Sequence, residues 1–145
     1  GAFGLPAIDR TAKLYIGGKQ ARPDSGYTRR IVGADGRSVG GVGEGNRKDV
    51  RNAVEAAHKA QAGWAKLTAH ARAQILYYAA ENLAARADEF ARRLDAISGR
   101  GDGAAEVEAS VARLFAYAAW ADKYDGAVHA VPIRGVALAM HEPIG

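Results

Sequence analysis

Asn46-Arg47-Lys48-Asp49-Val50-Arg51-Asn52-Ala53-Val54-Glu55-Ala56-Ala57-His58-Lys59-Ala60-Gln61-Ala62-Gly63-Trp64 divides two kinds of sequence. Within it Val50, Ala53, Val54, Ala57, Ala60 and Trp64 recur at intervals of three and four, one stripe along an amphipathic helix. Asn46 has the short polar side chain that suits an N-cap. Asp49 falls in the first turn, facing the positive end of the helix dipole. Upstream the pattern is one of short strands and turns. Downstream it stays helical.

The upstream part, residues 13–45, reads as β hairpins. Leu14-Tyr15-Ile16 and Lys19-Gln20-Ala21-Arg22 flank Gly17-Gly18, and paired glycines tolerate the positive φ angles of a two-residue turn. Asp24-Ser25-Gly26 is a second turn, and Ala34-Asp35-Gly36 separates Arg30-Ile31-Val32 from Ser38-Val39. Such short strands cannot build a buried core unaided. Residues 1–12 read as a linker or extended arm.

Downstream, the spacing predicts three helices over residues 46–126. The second starts after Thr68 and carries Ile75, Leu76, Ala79, Leu83, Ala87, Phe90, Leu94 and Ile97 in a single stripe that Gly99 stops. The third starts near Gly103, with Val107, Val111, Leu114, Phe115, Ala118 and Ala121 inward, and ends before Gly126. Dense alanine lets such helices approach closely and tolerate little enlargement. Val128–Ile133 and Val136–Met140 then read as two strands, with Val136, Leu138 and Met140 alternating with Ala137 and Ala139. Pro132 cannot donate to a central ladder, which puts its strand at an edge. An apolar strand pair beside a helical body needs a partner on that edge.

The 145 residues are the size of one domain, and 48% hydrophobic with 25% charged residues excludes wholesale disorder. No apolar run is long enough for a membrane helix, and no leader pattern opens the chain, so the expected compartment is the cytoplasm. The lone methionine is Met140, so a chain that starts at Gly1 reads as a processed or excised piece. The net charge of +4 is uneven: residues 1–52 hold ten Lys/Arg against five Asp/Glu, the remainder ten against eleven. A basic first third can steer an anion or a nucleic acid. No aromatic platform interleaves with Arg10, Lys13, Lys19, Arg22, Arg29 and Arg30, which argues against nucleic acid and for a solvated surface.

Motifs that carry chemistry are missing. With no cysteine there is no thiol nucleophile or zinc-thiolate site. Gly40-Gly41-Val42-Gly43-Glu44-Gly45 lies where a phosphate loop would, yet Asn46 holds the place of the last glycine of G-x-G-x-x-G and Glu44 would repel a phosphate; a turn is expected. His58, His70, His129 and His141 have no ligand spacing, and Glu106 and Glu108 diverge on a helix. Arg100-Gly101-Asp102 spells an adhesion tripeptide too short to weigh.

Glu44–Ala57 followed by Trp64 resembles the first helix of the NAD(P)-dependent aldehyde dehydrogenase superfamily. Ser98-Gly99-Arg100 resembles that family's turn after its second helix, and Tyr117–Gly126 its third helix. His141-Glu142-Pro143-Ile144-Gly145 resembles its entry into the nucleotide-binding sheet. The resemblance runs in order from about Lys13 to the end. Gly45–Arg51, Arg134-Gly135-Val136 and the closing Glu-Pro-Ile-Gly look most like a subgroup with two tandem modules, of which the second lacks the nucleophile.

The resemblance implies an α/β fold of which this is the N-terminal part: hairpins, three helices and an oligomerisation strand pair over 127–140, with most of the Rossmann core missing. It implies self-association through residues 128–140 into a homodimer or larger species, with Val131, Ile133, Val136, Leu138 and Met140 at the interface and the rest of such a module as a further partner. Cofactor contacts, oxyanion asparagine, general-base glutamate and nucleophilic cysteine of the family match no position here. The chain is therefore expected to hold no catalytic, cofactor or metal residue, and NAD(P) is expected only of a full-length member. Ile97 stands where many members place an acidic residue that in some helps hold a cation, so no such site is implied.

Overall fold

Strands and turns over 11–43 lead into four helices and a closing strand pair. The computed structural model describes residues 11–123, 127–132 and 134–144. β1 (Leu14–Ile16) pairs antiparallel with β2 (Lys19–Ala21), and β3 (Thr28–Val32) with β4 (Ser38–Gly43). Gly17 and Gly18 take φ of 64° and 79°, as the first hairpin turn requires. The two hairpins are joined at one point: Ala12 bridges Val42, with Ala12 N–H donating to Gly41 and Gly43 N–H donating to Ala12. Of the arm predicted over residues 1–12, Thr11 and Ala12 thus belong to the sheet region; the rest lies outside the described residues.

The glycine-rich run is not the turn the sequence suggests. Gly40–Gly43 is strand, the second half of β4. A side chain on Gly43 would meet the Pro23 ring at 3.1 Å, and one on Gly41 the Thr11 hydroxyl at 3.3 Å. Close backbone approach explains these glycines, not a ligand.

α1 (Arg47–Lys66) begins at Asn46, whose side chain accepts from the amides of Lys48 and Asp49 while the Asp49 carboxylate accepts from Asn46 N–H at 2.9 Å, a reciprocal capping box. α2 (Ala69–Ala85) is capped by Thr68, as predicted. The single long second helix is not observed: the chain breaks at Arg86 (φ −111°, ψ 17°), and α3 (Ala87–Ser98) follows, making four helices instead of three. No proline or glycine marks the break. Asp88 and Glu89 favour a new helix N-terminus there, and Arg86 reaches forward to ion-pair with Glu89 at 2.9 Å and lie over the Phe90 ring at 5.2 Å. Gly99, at φ 69°, ends α3 as expected.

α4 (Gly103–Ala121) returns along α2 and α3. Its Phe115 meets Tyr77 with ring centroids 5.9 Å apart, while Val107 shares a groove with Ala84, Ala87 and Ala91. The fully enclosed apolar residues lie here: Ala73, Ala80, Val107 and Ala118, all at most 4% exposed. Two tethers hold the hairpins to the helices. Ala34 N–H donates to the Ala96 carbonyl at the end of α3, and Asp24 N–H donates to the Asp49 carboxylate. β5 (Ala127–His129) and β6 (Ala137–Ala139) form a third two-stranded sheet.

This arrangement leaves much apolar surface uncovered. The chain exposes 11977 Å², where a self-contained 15.2 kDa globule exposes about 7,100 Å². Val50, Val54 and Trp64 of α1 are 64%, 61% and 41% exposed. The amphipathic stripe that defined the first helix is therefore present and unpartnered among the described residues. Among them, no helix is long and apolar enough to cross a membrane.

Candidate functional site: an apolar association surface

In the closing sheet Ala127 faces Ala139, Val128 faces Leu138 and His129 faces Ala137. Successive side chains of a strand point to opposite faces, and in β6 the small ones turn inward. Ala137 and Ala139 are half-buried, whereas Val128 and Leu138 are 72% and 63% exposed, with Val136 and Met140 flanking at 75% and 71%. The result is an outward apolar face with, among the described residues, a free edge on each strand.

The strands are shorter than the alternation predicts. Of the five residues proposed for the interface, Leu138 lies in a strand; Val136 and Met140 adjoin β6, and Val131 is half-buried in the connection. Ile133 lies outside the described residues, as does Gly126, though the helix expected to end before it stops at Ala121. The first strand ends at His129, and residues 130–132 do not continue it; Pro132, with no N–H to donate, could not extend the ladder there.

The remaining candidates separate. Among the described residues no three His, Asp or Glu side chains come together as a metal set. Glu106 is committed to Arg100 at 3.1 Å, and the Arg100 guanidinium also holds Asp102 at 3.2 Å, so the Arg-Gly-Asp charges close on each other. The α1 N-terminus does not suit a dinucleotide phosphate. Its first amides are taken by the Asn46 side chain, the Asp49 carboxylate sits at its positive end, and Glu44 N–H donates to Tyr27.

What the sequence reading did not find is the polar node at this helix start. Asp49, 6% exposed, accepts from Asp24 N–H at 3.1 and 3.2 Å as well as from Asn46. Asp24 in turn takes Lys48 Nζ at 2.6 Å and Asn46 Nδ2 at 3.0 Å. Those two donors hold the Asp24 carboxyl below the ordinary aspartate range, Lys48 contributing most. The Asn-x-x-Asp spacing was its one local signal; Asp24 arrives from 25 residues away.

Comparison with known proteins adds the family. The model of the aldehyde dehydrogenase family matches residues 10–145. Aldehyde dehydrogenase B of Escherichia coli is 26% identical over the whole chain, and the mitochondrial benzaldehyde dehydrogenase of Antirrhinum majus 35% identical over 92% of it. The chain spans 29% and 26% of those relatives. Among solved structures, an NAD-dependent aldehyde dehydrogenase from Sinorhizobium meliloti superposes with a TM-score of 0.78 at 26% identity, over 84% of this chain and 26% of that one. A betaine aldehyde dehydrogenase from Staphylococcus aureus, in complex with NAD+, superposes with a TM-score of 0.80 at 24% identity, over 85% and 26%.

Proposed function

The chain belongs to the aldehyde dehydrogenase family, and from that premise we propose that it serves as a scaffold and assembly segment, self-associating through residues 128–140 and holding no catalytic residue of its own. The observation that carries this reading is the closing sheet, where Ala137 and Ala139 are half-buried and Val128, Val136, Leu138 and Met140 turn to solvent. A second copy laid on that face or edge would cover them and complete the ladder. The finer placement, as the second module of a two-module protein, rests on the Gly45–Arg51 run and the closing Glu142-Pro143-Ile144-Gly145.

Size-exclusion chromatography with light scattering on the 145-residue chain tests it. The parent elutes as a dimer or larger species, and Leu138→Lys, which places a charge on the shared face, elutes at 15.2 kDa. Equal masses for parent and variant would remove this interface. On this reading added NAD changes neither mass, because the family's cofactor contacts match no position in this sequence.

The relatives' names favour a second reading, in which the chain is part of an oxidoreductase that oxidises an aldehyde to a carboxylic acid with NAD(P) and whose chemistry lies beyond residue 145. An intact mass far above 15.2 kDa for the protein in its source cells supports it. A matching mass leaves the assembly reading alone.

A further inference from the structure

We propose that the open end of the first hairpin is an anion-binding pocket, taking a phosphate-type oxyanion between Lys13, Arg22 and Thr28. Leu14 pairs with Ala21 in the β1–β2 ladder, so the same register continued one step sets Lys13 opposite Arg22. Like charges directly opposed across a strand pair destabilise it, and an anion held between them removes the repulsion.

Both cations line one pocket of about 200 Å³, with Thr11, Ala12, Thr28, Pro23, Gly26 and Gly43 completing the wall. At about 30 Å³ of liquid volume per water, that is room for one oxyanion and part of its hydration shell.

No carboxylate lines this pocket. Of the acids near it in the described chain, Asp24 is engaged by Lys48 and Asn46 and Asp49 by the amides of Asp24 and Asn46, while Glu44, next to Gly43, stays outside the lining. Among the described residues the side chains of Lys13, Arg22 and Thr28 have no hydrogen-bonding or ionic partner, so two cations and a hydroxyl line one pocket unpaired. The backbone is not the recognition element. The amides of Ala12, Gly26 and Gly43 donate to Gly41, Pro23 and Ala12. Binding therefore depends on the side chains: the Arg22 guanidinium, whose planar fork matches two oxygens of a phosphate, the Lys13 ammonium as a point charge, and the Thr28 hydroxyl. The Ala12–Val42 bridge and the Asp24–Asp49 tether fix the backbone of both walls, so the ordering needed on binding is confined to the exposed Lys13 and Arg22 side chains.

The test is a titration of the 15N-labelled 145-residue chain with inorganic phosphate at constant ionic strength, followed by amide chemical shifts. The amides of Lys13, Arg22 and Thr28 shift and saturate in the millimolar range, acetate acts more weakly, and added sodium chloride loosens binding. The double variant Lys13→Gln/Arg22→Gln weakens the midpoint about tenfold or more, with the amide positions of Asn46 and Asp49 unchanged as the check on folding. A parallel arm with adenosine 5′-monophosphate identifies the source: tighter binding than phosphate supports a monoester as the ligand, and equal binding supports the free ion. Linear shifts, shifts centred on Arg47 and Arg51, or an unchanged midpoint in the double variant overturn the proposal. Thermal melting supplies a readout independent of the spectra. Lys13→Gln melts higher than the parent without phosphate, because the repulsion is gone, and phosphate raises only the parent. A Lys13→Gln chain that melts no higher, or that phosphate stabilises as much as the parent, counts against the pocket.

Discussion

The α2–α4 contact and the β5–β6 sheet use the same small residue and dispose of their large ones differently. Between the helices, alanine is where the chain meets itself: Ala73, Ala80 and Ala118 are at most 1% exposed, and aromatic packing of Tyr77 on Phe115 closes the same contact. In β6 the alanines, Ala137 and Ala139, again turn inward, but Val128 and Leu138 are given to solvent. α1 behaves like the sheet, with Asp49 as its one buried residue and its valines exposed. The chain's own contacts are thus close approaches of small side chains, and many of its large apolar side chains are left for something else to cover. That division is how a chain with 48% hydrophobic residues exposes 11977 Å².

The sharpest way to break this comparison is to enlarge an alanine on one side and trim a valine on the other. Ala80→Leu forces an isobutyl group into a contact with no exposed surface, and such overpacking costs about 1–3 kcal/mol. Val54→Ala, on a side chain 61% exposed, changes stability by about 0.5 kcal/mol or less. Urea unfolding followed by far-ultraviolet circular dichroism reads both. A Val54→Ala chain that loses as much as Ala80→Leu shows that α1 is packed after all.

Much of this was legible from residue types alone. The caps Asn46 and Thr68, the Gly17-Gly18 turn and the stop at Gly99 are local chemistry, and each stands where that chemistry put it. Periodicity found the apolar stripes but could not say which of them meet a partner, because a stripe facing α4 and a stripe facing water have the same spacing. The break at Arg86 was hidden for a related reason: the apolar repeat runs through it without a shift, and the residues that favour a new helix start, Asp88 and Glu89, also read as ordinary surface charge. The glycines of β4 misled because close approach to Pro23 and Thr11 is a contact distant in sequence. At the candidate interface the alternation of Leu138 with its alanines was visible, while the early end of the strand carrying Val131 was written only in Pro132.

A middle-sized effect belongs to the node joining hairpin to helix. Asp49→Ala removes the acceptor for the amides of Asn46 and Asp24, leaving two part-buried donors unpaired. The loss expected is about 1–3 kcal/mol in urea unfolding. The early opening is confined to the 22–26 turn and the first turn of α1, where amide hydrogen exchange locates it. If exchange instead accelerates evenly along α2 and α4, the node supports the whole chain and the two regions are not independent.

The smallest effect is electrostatic and tests the same tether from its exposed side. Hydrogen bonds from Lys48 and then Asn46 hold the Asp24 carboxyl below its ordinary range in the folded chain. A carboxyl depressed on folding adds stability above its unfolded pKa, and that contribution is lost as pH falls through the folded value. Asp24 is exposed, so solvent screens the interaction and only a shallow acid dependence is expected. The direct measurement is the side-chain carboxyl titration of Asp24 by carbon-detected NMR in the parent and in Lys48→Gln. The midpoint rises toward the ordinary aspartate value in the variant because its largest stabilising donor is gone. A midpoint that does not move would mean that the 2.6 Å contact with Lys48 does not persist in solution, and that the 24–26 turn is tied to the start of α1 by Asp49 and Asn46 without it.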